Sequence, residues 1–145
     1  MNLKWQRRFM EIAVCTSQWS KDPSTKVGAV IVSPDKQILS TGYNGFPANI
    51  EDKPEWYDDR EMKYSLIIHA EMNAILNAAK NGINIKDAWL FVTSLPVCAN
   101  CAKHVCQAGI GAVVRQDNII DPRWADSSKA ADTIFGLAKI PIYKI

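Results

Sequence analysis

The chain has 145 residues, of which 48% are hydrophobic and 22% are charged, and its formal net charge at pH 7 is +2. This composition excludes a disordered or fibrous chain, and the small net charge excludes the basic surface that proteins binding duplex nucleic acid present. No apolar run approaches the roughly 20 residues that a membrane-spanning helix needs. We therefore expect one cytoplasmic domain over residues 1–145, without nucleic-acid or membrane partners.

A helix, a hairpin and a long loop are predicted in the first half of the chain. The helix covers residues 3–18, because apolar side chains recur there at helical spacing. The residues of this stripe are Leu3, Phe9, Ile12, Ala13 and Thr16. Residues 27–33 and 37–43 have the β-branched content of strands, and the Pro-Asp-Lys turn between them predicts a β-hairpin. Residues 44–64 hold two prolines and a charge run, so we interpret them as a functional loop with at most a helical turn.

The second half of the chain alternates helices and strands. The predicted helices cover residues 70–80, 98–108 and 127–138, and the predicted strands cover residues 88–94, 111–115 and 140–145. A helical crossover before the last strand makes that strand parallel to its predecessor. With the hairpin, five strands are expected in an α/β fold.

Three side chains at predicted helix starts indicate a metal site. His69 opens one helix, and Cys98 with Cys101 opens another, where the partial positive charge of a helix N-terminus favours thiolate. Cys98 and Cys101 are three residues apart and so project to nearly the same side. Two thiolates and one imidazole are a typical zinc set, and three protein ligands leave a coordination position for water, as in catalytic sites. Glu71 would take the proton of that water and pass it to a substrate.

Simpler interpretations of the same residues stay open. His69 can be a hydrogen-bonded core histidine, and the C-x-x-C pair can be a structural knuckle or a redox pair. A closed structural site needs a fourth ligand, for which Cys15, His104 and Cys106 are the candidates. We interpret Cys106 as a core residue, His104 as a surface or packing residue, and Cys15 as a buried small apolar residue.

The motifs resemble those of a known enzyme family. His69-Ala70-Glu71 and Cys98-Ala99-Asn100-Cys101 resemble the H-x-E and P-C-x-x-C signature of zinc-dependent nucleobase and nucleotide deaminases. The segments "SKDPSTKVGAVIV", "STGYNGFP", "HAEMNAI", "VTSLPVCANCAK" and "QAGI" resemble, in that order, segments of the deoxycytidylate (dCMP) deaminase family. Together they cover most of residues 20–111. One departure is Val97, which separates Pro96 from the first cysteine, whereas the family proline usually precedes that cysteine directly.

The resemblance implies a fold, a cofactor and a reaction. The implied fold is cytidine deaminase-like, with three α/β/α layers and a five-stranded mixed sheet whose last strand is parallel. One Zn²⁺ per chain would be held by His69, Cys98 and Cys101. The implied reaction is hydrolysis of dCMP at C4 of the cytosine ring to dUMP and ammonia, in pyrimidine deoxynucleotide supply. Glu71 would carry protons to N3 and to the leaving amino group.

Three further residues are predicted to contact the substrate. Asn44 in the segment "GYNG" can offer its amide to the sugar or the base, with Gly42 and Gly45 allowing the backbone to bend, although a plain turn asparagine is the alternative. Lys26 is the candidate for the phosphate, unless it is merely solvated. Trp124 could stack near the base or simply pack.

Three rival functions stay open. One is a dCTP or dual dCMP/dCTP deaminase, because the sequence does not indicate how many phosphate groups the substrate carries. A second is a tRNA adenosine deaminase, although that group lacks "GYNG" and the long insert before the histidine. The third is a non-catalytic zinc-binding module. The presence of Glu71 favours an enzyme, because a structural zinc site needs no acid beside an open coordination position. The resemblance also implies a homo-oligomer, commonly a hexamer, with dCTP and dTTP as allosteric effectors and Mg²⁺ accompanying a bound effector.

Overall fold

A computed structural model describes residues 1–117 and 121–145, and one mixed sheet organises them. Its strands are β1 (Gly28–Val32), β2 (Ile38–Tyr43), β3 (Trp89–Val92), β4 (Ala112–Arg115) and β5 (Ile142–Lys144). The spatial order is β2-β1-β3-β4-β5. β1 pairs antiparallel with β2 and with β3, whereas β4 pairs parallel with β3 and with β5. The predicted hairpin and the predicted parallel last strand are confirmed.

Helices cover both faces of this sheet. They are α1 (Leu3–Ser17), α2 (Pro54–Asp58), α3 (Arg60–Leu66), α4 (Ala70–Lys80), α5 (Ala99–Gln107) and α6 (Pro122–Leu137). On one face, Phe9, Met10 and Ala13 of α1 pack against side chains of β1, β3 and β4. α4, α5 and α6 pack on the other face, which confirms the three-layer α/β/α arrangement. Among the described helices, none combines the length and the apolar character that crossing a membrane requires.

The prediction of a loop over residues 44–64 is wrong from residue 54 onward, where α2 and α3 form instead. Pro54 occupies the first turn of α2, and the Asp59 side chain caps α3 by accepting a hydrogen bond from the Met62 N–H. Both features are ordinary helix-start signals that the charge run concealed. The Tyr57 ring stacks on Phe46 with 4.1 Å between ring centroids. This tertiary contact stabilises helices too short to be stable alone. We call α2 and α3 together the insert.

Two other expectations need correction. α6 begins at Pro122 rather than at residue 127, because Asp121 caps it by accepting a hydrogen bond from the Arg123 N–H. Cys15 is exposed rather than buried, since it lies on the solvent side of α1. His104 is exposed, as expected, and Cys106 is half-buried against the main core.

Gly42 allows α4 to approach β2 closely. A Cβ atom at this position would lie 2.3 Å from the backbone nitrogen of Ala74 and 2.4 Å from the carbonyl oxygen of Ala70. These distances are well inside van der Waals contact, so only glycine fits here. The prediction that Gly42 permits a backbone bend is therefore wrong, because Gly42 lies within β2. The absence of a side chain at Gly42 allows α4, which carries Glu71, to pack directly on this strand.

Candidate active site

Two helix starts on one face of the sheet bring the chemically important side chains together. His69 directly precedes α4, and Cys98 directly precedes α5, both with extended backbone. α4 and α5 belong to the same hydrophobic core. As a result, His69 Nδ1 lies 3.5 Å from Cys98 Sγ and 3.4 Å from Cys101 Sγ. The meeting of the two helix ends that the sequence predicts is observed.

Val97 does not disturb this arrangement. Its side chain is 1% exposed and packs in the main core. Cys98 keeps the N-cap position of α5, and its Sγ accepts a hydrogen bond from the Cys101 N–H at 3.3 Å. The residue between Pro96 and Cys98 is thus accommodated by burial, and the spacing of the two sulfur atoms from the imidazole is retained.

The donor atoms have the spacing of a tetrahedral zinc site. With Zn–N near 2.05 Å and Zn–S near 2.3 Å, a tetrahedral angle separates nitrogen from sulfur by about 3.6 Å. The observed nitrogen-to-sulfur distances are 3.5 and 3.4 Å, and the three donor atoms lie within 4.8 Å of one another. In residues 1–117 and 121–145, the metal-binding group comprises His69, Cys98 and Cys101 and no fourth side chain. A zinc ion held here would keep one coordination position for a small molecule.

The two cysteines share a proton unevenly. The hydrogen bond from the Cys101 thiol lowers the pKa of Cys98 to about 4, and the same hydrogen bond raises the pKa of Cys101. The hydrogen bond with Cys98 also raises the pKa of His69. Such a cluster concentrates negative charge on sulfur beside an imidazole. A bound cation would replace the Cys101 proton, because zinc binds the thiolate form.

Glu71 is a buried carboxyl beside this cluster. It lies in the first turn of α4, and only 3% of it is exposed. Burial raises its pKa to about 7, while the nearby charge of His69 acts in the opposite direction. A carboxyl that titrates near neutral pH can both accept and release a proton under working conditions. Its position and raised pKa are compatible with the general acid and base role predicted from the sequence, which stays a prediction.

The cluster opens into a cavity of about 300 Å³. His69, Glu71 and Cys98 contribute to its lining, as do residues of the insert and of the segment 22–27 before β1. This volume lies at the lower end of the range for small-molecule sites. The arrangement therefore places a candidate metal-binding group and a buried carboxyl at the wall of a cavity of small-molecule size.

Asn44 lines this cavity, but the protein already uses most of its amide. Its Oδ1 accepts a hydrogen bond from the Val27 N–H at 2.8 Å. Its Nδ2 donates to Asp22 Oδ2 at 3.2 Å and to the Thr25 carbonyl at 2.9 Å. Both amide hydrogens are thus occupied, and only a lone pair on Oδ1 is left for a ligand. A substrate contact from Asn44 stays a prediction, restricted to accepting a hydrogen bond.

The other two predicted substrate contacts differ in position. Trp124, in the first turn of α6, is half-buried and lines the cavity. Lys26 is exposed and does not line the cavity, and its Nζ lies 3.5 Å from the Gln18 carbonyl oxygen. Both roles stay predictions, but only Trp124 lies where a ligand in this cavity can contact it.

The cavity residues of the insert were not predicted from the sequence. Arg60 and Lys63 of α3 both line the cavity, and Lys63 forms an ion pair with Asp22. A signal was available: Asp59 is a good N-cap, and residues 60 and 63 lie on one face of the helix that follows it. The partner of Lys63 could not be read from the sequence, because Asp22 is 41 residues away.

Comparison with known proteins shows similarity over nearly the whole chain. Residues 3–116 match the model of the cytidine and deoxycytidylate deaminase zinc-binding region. Deoxycytidylate deaminase of Homo sapiens is 37% identical over 148 residues, covering 98% of this chain and 80% of that protein. An uncharacterised deaminase in the luxG 3′ region of Aliivibrio fischeri is 40% identical over 141 residues, with 96% and 92% coverage. The solved structure of dCMP deaminase from cyanophage S-TIM5, in complex with dCMP and dUMP, matches this chain with a TM-score of 0.78 and 24% sequence identity. The match covers 100% of this chain and 99% of that chain, and it supports the fold.

Proposed function

We propose that this chain, which belongs to the family of cytidine and deoxycytidylate deaminases, hydrolyses dCMP to dUMP and ammonia. The observation that carries the proposal is the convergence of His69, Cys98 and Cys101 beside the buried Glu71 at the wall of a small-molecule cavity. Three relatives of this chain at 36–38% identity, of each of which 80% is covered, are named deoxycytidylate deaminase. Their shared name favours dCMP as the substrate.

Each residue of the site has one task in this reaction. His69, Cys98 and Cys101 would hold Zn²⁺, which when bound supplies a water acidic enough to act as the nucleophile at neutral pH. Glu71 accepts a proton from the attacking water and delivers it to N3 of the cytosine ring. It then moves a second proton to the amino group on C4. The C4–N bond breaks, ammonia leaves, and the oxygen of the water remains on C4 of dUMP.

The buried position of Glu71 suits this relay. Burial raises the pKa of Glu71, which makes its carboxylate a better proton acceptor than an exposed glutamate. Trp124 and Asn44 both line the cavity, where Trp124 would contact the base and Asn44 would accept one hydrogen bond from the substrate. A non-catalytic zinc module would have no use for a buried acid beside its metal ligands, which favours the enzyme over that rival.

Several finer properties belong to the same proposal. The chain acts as one deaminase domain in the cytoplasm, assembled as a homo-oligomer, with a hexamer as the expected size. Regulation by dCTP and dTTP stays a prediction drawn from resemblance. Within the described residues, the metal-binding group is the His69 cluster, so Mg²⁺ would enter with the phosphates of an effector rather than at a protein site of its own. Sedimentation with and without each nucleotide tests assembly and effector binding together.

The test of the function is ammonia release from a set of nucleotides, with zinc content measured on the same sample. The set is dCMP, dCTP, deoxycytidine and an adenosine-containing tRNA anticodon stem-loop. We expect dCMP to be the best substrate and the zinc content to be close to one per chain. Faster release from dCTP or from the RNA would replace the proposed substrate, and zinc-loaded protein that releases ammonia from none of the four would contradict the proposal.

A further inference from the structure

A buried ion pair joins the insert to the segment before β1. Lys63 Nζ donates to Asp22 Oδ1 at 2.8 Å, and the two side chains are only 13% and 4% exposed. The same Asp22 oxygen accepts hydrogen bonds from the backbone N–H of Ser24 at 2.8 Å and of Thr25 at 3.3 Å. Asn44 Nδ2 donates to the second oxygen at 3.2 Å. Several donors therefore hold one carboxylate in place, and the carboxylate holds the Lys63 ammonium beside Ser24 and Thr25.

Lys63 keeps bonding capacity that the protein does not use. An ammonium group has three donors, and within residues 1–117 and 121–145 only Asp22 accepts a hydrogen bond from this one. Lys63, Ser24 and Thr25 all line the cavity. The hydroxyls of Ser24 and Thr25 make no hydrogen bond to other described residues. A positioned cation and two hydroxyls thus face the same space with donors available for a ligand.

Arg60 adds a second cation on the same face of α3. It lies three residues before Lys63, and it also lines the cavity. Its guanidinium lies 5.3 Å from the centroid of the Tyr64 ring. No carboxylate of the described chain forms an ion pair with it, although Asp58 contributes to the lining as well. The charge of Arg60 is therefore available to a ligand.

The other cations near the cavity are less suited to bind an anion. Arg123 lines the cavity, but its guanidinium donates to Asp121, with Nη2 to Oδ2 at 2.7 Å. Lys26 lies outside the lining. The contrast singles out α3 as the element that presents cationic donors to the cavity.

We infer that Lys63 and Arg60 bind the 5′-phosphate of the substrate, with the hydroxyls of Ser24 and Thr25 as additional donors. This inference rests on the proposed function, which supplies a nucleotide as the ligand. A phosphate monoester carries about two negative charges at neutral pH, and its oxygens accept charge-assisted hydrogen bonds from ammonium and guanidinium groups. The Asp22 carboxylate fixes the ammonium before the ligand arrives, which reduces the entropy lost on binding.

This subsite makes the insert the element that distinguishes nucleotide from nucleoside. Deoxycytidine carries the same base and sugar as dCMP but leaves the donors of Lys63 and Arg60 without an acceptor. Discrimination between the two ligands should therefore depend on α3, whereas the chemistry at C4 depends on residues of α4 and α5. The two parts can be tested separately.

The test measures binding of the product pair dUMP and deoxyuridine to the zinc-loaded full chain by calorimetry. It is independent of turnover. We expect dUMP to bind the parent protein more tightly than deoxyuridine does, and Arg60→Gln to reduce this preference about 10- to 100-fold, as loss of a charge-assisted hydrogen bond predicts. Lys63→Gln leaves the Asp22 carboxylate buried without its counter-charge, so the double variant Asp22→Asn/Lys63→Gln is measured beside it. Both variants should lose at least as much of the preference for dUMP as Arg60→Gln does.

Lys80→Gln is the matched control, since it removes one exposed positive charge at the end of α4, outside the cavity. It should bind dUMP and deoxyuridine as the parent does. Retention of the parent preference by Arg60→Gln and by the folded double variant would overturn the inference, as would a larger loss from Lys26→Gln than from Arg60→Gln. Failure of the proposed function gives a different result, because the parent would then release no ammonia from dCMP whatever its binding preference.

Discussion

Replacement of Gly42 by alanine tests how the sheet positions the active site. The added Cβ would lie 2.3 Å from the Ala74 nitrogen and 2.4 Å from the Ala70 oxygen, both of which belong to the backbone of α4. Ordinary contact needs about 3.4 Å, so α4 must move by about 1 Å. Overpacking of this kind costs about 1–3 kcal/mol, which lowers the Tm by about 3–10 °C in a domain of this size.

The same displacement should reduce activity. α4 carries Glu71 in its first turn and follows His69 directly, so a shift of about 1 Å misplaces both and lowers kcat/KM for dCMP by up to about 100-fold. Thermal unfolding and initial rates of ammonia release measure the two effects. Gly136→Ala is the control, because nothing lies within 4 Å of its added Cβ and it lies within α6. It should gain about 0.5–1 kcal/mol and keep full activity. A Gly42→Ala variant as stable and as active as Gly136→Ala would refute the reasoning.

Three further variants have expected outcomes. Glu71→Gln should keep zinc but lose turnover by several orders of magnitude, seen by metal analysis and ammonia release on one sample, and normal turnover would exclude Glu71 as the proton carrier. Cys98→Ala should lose zinc and stability together, seen in metal content and thermal unfolding, and tight zinc retention would remove this sulfur from the ligand set. Asn44→Ala removes three hydrogen bonds from a buried site, so chemical denaturation should show a loss of about 2–4 kcal/mol, whereas a loss below about 0.5 kcal/mol would show that these bonds contribute little.

The regular elements could be predicted because each has a local cause. β-branched residues and turn residues identify β1 and β2, helix-forming residues identify α4, and the helix before β5 requires a parallel last strand. The insert was missed because α2 and α3 are short and depend on tertiary contacts such as the stacking of Tyr57 on Phe46. Cys15 was placed inside on residue type alone, which does not identify the face of an amphipathic helix that meets the sheet.

The site residues also divide into those that the local sequence predicts and those that depend on long-range contacts. His69, Cys98 and Cys101 belong to two short motifs at helix starts, so their spacing in the sequence predicts the observed cluster, and Glu71 follows His69 by two residues in the first turn of α4. The cationic side chains were harder to rank. Lys63 lines the cavity and forms an ion pair with Asp22, which is 41 residues away, whereas Lys26 does not line the cavity. Neither difference can be predicted from the local sequence. The local signal therefore predicted the cluster of His69, Cys98 and Cys101, whereas the place of Lys63 on the cavity depends on a long-range contact that local sequence does not contain.

The most direct measurement is mass spectrometry of the product after zinc-loaded protein is incubated with dCMP in water enriched in oxygen-18. Attack of water on C4 predicts dUMP that carries one heavy oxygen, with an equal amount of ammonia released, and neither product from Glu71→Gln at comparable times. Formation of dUMP without the heavy oxygen, or equal conversion by Glu71→Gln, would contradict the mechanism. Unchanged dCMP in the presence of fully zinc-loaded parent protein would contradict the function itself.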